Sequence, residues 1–494
     1  MSNPLALLPL ALAAGGGRIG IAGTEPSGFL EAPQLVAAGL TLLQRSAPLV
    51  RVLSGRRSAI LLPTSPTFLT ALAASDGRGA VLVNPLAAPA EIAFQIRDAD
   101  VGAVFTTSAF APRLPADVPV VLLDDAPRMA RVIASGATRD IDLGSHHGLV
   151  LEGERDVEGR DEEAAIVYTS AMRGTPLGAV LTHRNLLANA RSTVEALAIA
   201  PEDHVLALLP FAHLFGLTVT GSAPLLVGAR VSTMERLHPV RAAELLDASG
   251  ITTIVGVPAV FHALLGAIER RGIDLRDSPL RLVVCGGAEL PVALQDRWAD
   301  VTGVEMRQGY GLTEASPVSL FNRVDRPNVR GSLGLPFPGV DVAILPPTDY
   351  GSVGDTRPGN ATHLPDGEPG EVAVRGPSVF RGYLRDEGAG LPRRGEWLMT
   401  GDRGVRDTDG TFRFLGLLKP MFTRNGFNVY PAELERVTRE LPGVDRVEVH
   451  PLPEPFKEND ILLRVWGSVS EDDVRRWCES RLSAYKQPSV IEIR

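Results

Sequence analysis

Residues 168–185 read YTSAMRGTPLGAVLTHRN. A run of strand-forming residues, AIVYTS (165–170), leads into a turn marked by Gly174 and Gly178, and a helix start follows. That is the frame of a phosphate-gripping loop, where backbone N–H groups and a helix N-terminus face an anion. The charge that normally completes such a grip is missing. No lysine stands between Ser170 and Gly178, and Met172 and Arg173 occupy places where small hydroxyl residues are expected.

Working outward, SAILLP (58–63), AVLVNP (80–85), GAVFTTS (102–108) and PVVLLDD (119–125) are further strand candidates upstream. Helix-period segments such as EIAFQIRDA (91–99) separate several of them, and the alternation resumes with VLALLP (205–210), TTIVGVP (252–258) and RLVVCGG (281–287). That order implies βαβ units and largely parallel sheets flanked by helices. After about residue 330 the texture changes. VDVAIL (340–345), GEVAVRG (370–376) and GTFRFLG (410–416) are short alternating strands split by turns, as in a small antiparallel barrel, and 346–367 reads as an exposed loop. From about 420 a compact α+β pattern follows: a helix over 431–441, strands near 446–450 and 460–466, a helix over 470–483 and a last strand at 489–494. The expected fold is α/β. A large N-terminal domain (1–418) of stacked α/β sheets with a β-barrel-like lobe precedes a small α+β C-terminal domain (419–494) on a hinge.

The chain has 494 residues, of which 45% are hydrophobic and 5% aromatic, so a large core is expected rather than disorder. Its formal net charge is −9 without a Lys/Arg block, which argues against nucleic acid as a partner. Cys285 and Cys478 are far apart and suit a reducing cytoplasm better than a disulfide framework. The apolar start MSNPLALLPLALAAGGG has no basic flank and includes two prolines. It falls short of the roughly 20 apolar residues needed to span a bilayer, and it reads as an amphipathic first helix. A cytoplasmic protein without membrane insertion is expected.

Five stretches arrive in fixed order: YTSAMRGTPLG (168–178), LPFAHLFGL (209–217), CGGAEL (285–290), QGYGLTEASP (308–317) and TGDRG…GLLKPMFTRNGFNVYPAELE (400–435). Together they resemble the adenylate-forming (AMP-binding) superfamily of acyl-CoA synthetases, adenylation domains and luciferase-like enzymes, over nearly the whole chain. The resemblance implies an acyl-adenylate intermediate, a mobile small domain and a thiol acceptor. It implies that Gly286, Gly287 and Ala288 pack against adenine, that Tyr310, followed by Gly311, stacks on the base, and that Thr313 donates to the α-phosphate. Glu314 matches the family's magnesium ligand, so Mg2+ is an implied companion. Asp402 would accept hydrogen bonds from both ribose hydroxyls, and Lys419 holds the lysine position of the hinge motif. His213 matches a histidine lining the acyl pocket, whose walls Phe211, Phe215, Val257 and Pro258 would help build. Gly426 matches the loop glycine beside the pantetheine path of coenzyme A.

The departures from the family pattern are concentrated. Leu177 replaces the loop lysine, Ala171 a loop glycine, Leu417 the hinge arginine, and Pro420 stands at the pivot. The chain stops at VIEIR (490–494), before the loop that bears the adenylation lysine in relatives, while Lys486 belongs to an earlier motif and reads as a surface lysine. These losses all touch the reaction of ATP with a carboxylate. The expectation is therefore a ligase homologue that has lost adenylation, like the split ligases of platensimycin-type pathways. It would take an acyl-adenylate from a separate adenylating enzyme and pass the acyl group to coenzyme A, releasing AMP. Two alternatives stay open: a complete ATP-dependent acyl-CoA synthetase, and a non-catalytic adenylate-binding protein. The acid, and CoA against a carrier-protein thiol, stay open as well.

Overall fold

The computed structural model describes residues 4–25, 28–75, 79–134, 136–144, 158–169, 174–350, 362–386, 390–454 and 456–494. Two large sheets dominate the first part of the chain. One runs, from edge to edge, through strands Leu335–Pro336, Val318–Phe321, Met306–Gly311, Leu282–Cys285, Thr253–Gly256, His204–Ala207, Arg230–Thr233, Arg18–Ile21 and Leu30–Glu31. Its middle is parallel and its ends antiparallel. The other sheet carries Ala80–Leu82, Arg57–Ile60, Val101–Thr106 and Val120–Leu122 in parallel, and ends in antiparallel strands on both sides. Strands inside such sheets are covered on both faces, which is why VGAVFT (101–106), HVLA (204–207) and LVVC (282–285) are apolar runs buried at every position.

A third, antiparallel sheet joins Asp341–Leu345, Gly370–Arg375, Trp397–Arg406, Arg393–Arg394 and Phe412–Leu417. The last part of the chain packs helices Pro431–Arg439 and Glu471–Arg481 on a three-stranded sheet (Val444–Glu454, Glu458–Gly467, Val490–Ile493). Its core is separate and drawn from within residues 422–491, with Phe422, Leu434, Ile461, Leu463, Val474 and Leu482 at its centre.

Two local expectations change. The segment LGAVLT (177–182) is a strand, antiparallel to Glu163–Thr169 and buried throughout, and the helix begins only at His183. The opening motif is therefore a hairpin, and no helix N-terminus stands directly behind its turn. The first helix, Leu8–Gly15, is not amphipathic: Leu8, Pro9, Ala11, Leu12 and Ala13 are all buried, because it packs against Ala32–Arg45 and Ala223–Leu226. Among the described residues no helix is long and apolar enough to cross a membrane. Half of the expected loop at 346–367, residues 351–361, lies outside the described residues.

Candidate active site

A cavity of about 940 Å3 opens between the large lobe and the small C-terminal lobe. Its floor comes from two adjacent parallel strands, Leu282–Cys285 and Met306–Gly311. The first runs out into Gly286 and Gly287. A Cβ at Gly286 would stand 2.8 Å from the Gly309 carbonyl oxygen, and Gly287 has φ +78°, so glycine is required by space at one position and by conformation at the other. The second strand carries Tyr310 and Gly311, then turns through Thr313–Ala315. Ala288, Thr313, His213 and Phe215 also line the cavity.

At the large-lobe end, the Tyr310 hydroxyl donates to Asp402 Oδ2 at 2.7 Å. Lys419 Nζ lies 3.1 Å from Asp402 Oδ1 and donates to the Thr400 carbonyl at 2.8 Å. Asp402 is fixed in turn by its own N–H on Thr400 Oγ1 (3.2 Å). The neighbouring Gly401 N–H donates to Glu371 Oε1 at 2.9 Å. Burial alone would lower the Lys419 pKa, but the Asp402 carboxylate outweighs it and raises it above the usual value. Burial, aided by Asp402, pushes the Tyr310 hydroxyl well up, so it remains a neutral donor.

Glu314 is buried beside this cluster. Its Oε1 accepts from the Tyr383 hydroxyl at 2.8 Å and from Thr169 Oγ1 at 3.4 Å. Burial and Glu314 together hold Tyr383 well above the usual phenol range. Among the described residues no group of three or more His, Cys, Asp or Glu could hold a metal by itself. A single carboxylate fits magnesium nonetheless, since that ion keeps several waters and takes its other ligands from substrate phosphates.

At the acyl end, His213 Nδ1 accepts the Phe215 N–H at 3.2 Å. Burial lowers the imidazole to about 4, so it is neutral at ordinary pH. The expected pocket wall is placed differently. Phe211 is turned into the core against Phe68, with ring centroids 5.7 Å apart, and neither it nor Pro258, the buried first residue of helix Pro258–Arg271, lines the cavity. Val257 also lies outside the lining and is wedged between two glycines instead. A Cβ on Gly426 would stand 2.8 Å from Val257 Cγ1, and one on Gly287 would stand 3.3 Å from it.

Gly426 thus brings the small lobe down onto the large one. Two further contacts do the same. Arg436 Nε donates to the Gly174 carbonyl at 3.0 Å, bringing a guanidinium to the turn of the opening motif. Lys486 is only 4% exposed, not a surface residue: its ammonium sits 2.9 Å from Glu91 and 2.7 Å from Glu433. Burial lowers its pKa, and the surrounding Tyr485, Glu433 and Glu91 raise it well above the usual value on balance. Glu91, Tyr383 and Glu433 were not read as site residues. Glu433 stands inside PAELE, the last motif quoted above, which was the available signal; Tyr383 and Glu91 carry none.

The family model for AMP-binding enzymes matches residues 47–384. A feruloyl-CoA synthase of Amycolatopsis sp is 30% identical over 444 residues, covering 89% of this chain and 84% of the relative. A long-chain-fatty-acid-CoA ligase of Yersinia pestis is 31% identical over 476 residues, covering 89% and 82%. Among solved structures, a malonyl-CoA ligase with methylmalonyl-CoA and AMP bound has a TM-score of 0.78 at 25% identity, over 99% of this chain and 98% of the other. The amide bond synthetase McbA of Marinactinospora thermotolerans has a TM-score of 0.80 at 23% identity, over 99% and 95%, a likeness of fold alone.

The named CoA ligases overturn the expectation of a chain confined to the second half-reaction, and with it the ground for a separate adenylating enzyme. The structure supplies physical reasons. Leu177, read as a lost loop cation, is the first residue of a buried strand. Arg436 arrives at the same turn from the small lobe, where the loop sequence gave no sign of it. Ala171, Met172 and Arg173 lie outside the described residues.

Proposed function

This chain belongs to the AMP-binding enzyme family, and on that premise we propose that it is a complete ATP-dependent acyl-CoA ligase. In the first half-reaction a carboxylate oxygen of the acid attacks the α-phosphorus of ATP and pyrophosphate leaves. In the second the sulfur of coenzyme A attacks the acyl carbonyl carbon and AMP leaves. The observation that carries this reading is the buried chain Tyr310–Asp402–Lys419, opening onto the same cavity as Glu314 and His213.

Asp402 offers a carboxylate already oriented by two donors, suited to a pair of ribose hydroxyls. Gly286, Gly287 and Ala288 give a flat, side-chain-free edge against which adenine can lie, with Tyr310 and Gly311 on the neighbouring strand. Thr313 supplies a hydroxyl toward the phosphates. Glu314 is the residue to hold magnesium, which when bound would offset phosphate charge. Neutral His213 and Phe215 border the acyl chain. Lys419 begins the small domain (419–494), whose Gly426 and Arg436 reach the large domain (1–418) across the cavity. The free, buried Cys285 and Cys478 suit a reducing cytoplasm.

The test is acid-dependent ATP–pyrophosphate exchange alongside acyl-CoA formation, across fatty and hydroxycinnamic acids. Both signals are expected with the same preferred acid. Absence of exchange with every acid, while an active relative exchanges in parallel, overturns the reading.

A further inference from the structure

Glu458 opens the strand Glu458–Gly467 with φ +64°, a left-handed conformation that a long side chain adopts only when its surroundings impose it. Its Oε2 accepts the Gly426 N–H at 3.0 Å, while Oε1 is buried and meets no hydrogen-bond partner among the described residues. The side chain lines the cavity where the two lobes meet. It also bears on the large lobe's strand end: the Cys285 thiol is pushed well up by burial and then by the Glu458 charge. Cys285 immediately precedes Gly286 and Gly287, so Glu458 shares the cavity with the segment proposed to cradle the adenylate.

Four other basic groups of the cavity are already engaged. Asp402 is held by Tyr310 and Lys419, Glu314 by Tyr383, and Glu433 by the Lys486 ammonium. His213 spends Nδ1 on the Phe215 N–H. Among the described residues Glu458 has no such cation: Lys457, its neighbour, is turned to Asp460 at 3.5 Å. Cys285 faces Glu458 from the large lobe, and Thr423 and Gly426 face it from the hairpin Phe422–Val429. Burial therefore raises its pKa above the usual carboxylate range, although Gly426 and Thr423 lower it in part. That moves the group toward the basicity useful at neutral pH.

We propose that Glu458 is the general base of the thioester-forming step, an assignment that rests on the two-step reading above. The proton of the coenzyme A sulfhydryl passes to Oε1 as the sulfur–carbon bond forms. The bond from the acyl carbon to the phosphate oxygen breaks, AMP departs as the anion, and the carboxylic acid then returns its proton to solvent.

Glu458→Gln tests this, because the amide oxygen still accepts the Gly426 N–H while the basicity is gone. Two assays are run from pH 6 to 9: thioester formation from a synthetic acyl-adenylate with coenzyme A, and acid-dependent ATP–pyrophosphate exchange. Near pH 7 the kcat of thioester formation is expected to fall about 100-fold, with KM for coenzyme A and the exchange rate unchanged. The defect is expected to shrink as pH approaches the ordinary thiol pKa of about 8.5, where free thiolate accumulates. An unchanged kcat, a defect uniform across pH, or a parallel loss of exchange each overturns the proposal. Failure of exchange in the unsubstituted enzyme would instead sink the two-step reading, while the adenylate arm still judges Glu458.

Discussion

Lys419 and Lys486 are both buried lysines that line the same cavity, yet their partners come from very different distances along the chain. Lys419 meets Asp402 and the Thr400 carbonyl, the latter only 19 residues away and both on the strand Trp397–Arg406. Lys486 meets Glu433, 53 residues away in its own lobe, and Glu91, 395 residues away in the other. The backbone N–H groups of Leu418 and Lys419 on the Gly401 carbonyl tie the first pair locally, at the passage between the two lobes. The second depends on their being together, since separating them takes one carboxylate from its cation. A buried charge left without its partner is costly, whereas the same pair intact contributes little net stability. The Lys419 arrangement therefore prepares a binding site, and the Lys486 arrangement registers the position of the small lobe.

Removing each cation or its partner separates those roles. Lys486→Met strands Glu91 and Glu433 together and is expected to destabilise the protein by about 3–5 kcal/mol in urea unfolding; a loss below about 1 kcal/mol would mean the seam is wet and the pairing idle. Asp402→Ala leaves Lys419 with only a carbonyl. ATP–pyrophosphate exchange should fall about 100-fold, equivalent to about 2.7 kcal/mol, with stability reduced less than in the Lys486 variant. Gly426→Ala places a methyl against Val257 at a φ of +75°, with an expected penalty of about 1–2 kcal/mol. It should slow thioester formation and leave exchange intact, and the added change Val257→Ala should recover only the steric share. Tyr383→Phe removes one hydrogen bond to Glu314 and should lower exchange about fivefold, or about 1 kcal/mol. An equal drop in thioester formation from supplied adenylate would move Tyr383 from the phosphate side of the cavity to the shared site.

Much of the architecture was legible because the interior strands are short apolar runs between helix-period segments, a pattern that parallel sheets enforce. Gly286, Gly287, Tyr310, Glu314 and Asp402 could be found since each sits in a short motif with local constraints, and the structure brings them to one cavity. LGAVLT was misread for a physical reason: five buried apolar residues before a helix look the same whether they extend the helix or form a strand. The burial of Lys486 was invisible because its partner on the large lobe is remote in sequence. Phe211 stands in a motif with His213 but points the other way, and spacing alone does not fix direction in an irregular turn. The functional error had a similar origin. A missing lysine was equated with a missing charge, although a guanidinium can reach the same turn from another lobe, as that of Arg436, also paired with Glu440, does.

The bond from Arg436 to the Gly174 carbonyl has a consequence for the order of events in turnover. A Cβ at Gly174 would stand 2.6 Å from the Ala432 carbonyl oxygen, so Gly174 lies closely packed against the start of the helix Pro431–Arg439. If the small lobe swings between the two proposed half-reactions, this contact must break each time, and solvent viscosity becomes a handle on the overall rate even where the chemical steps are fast.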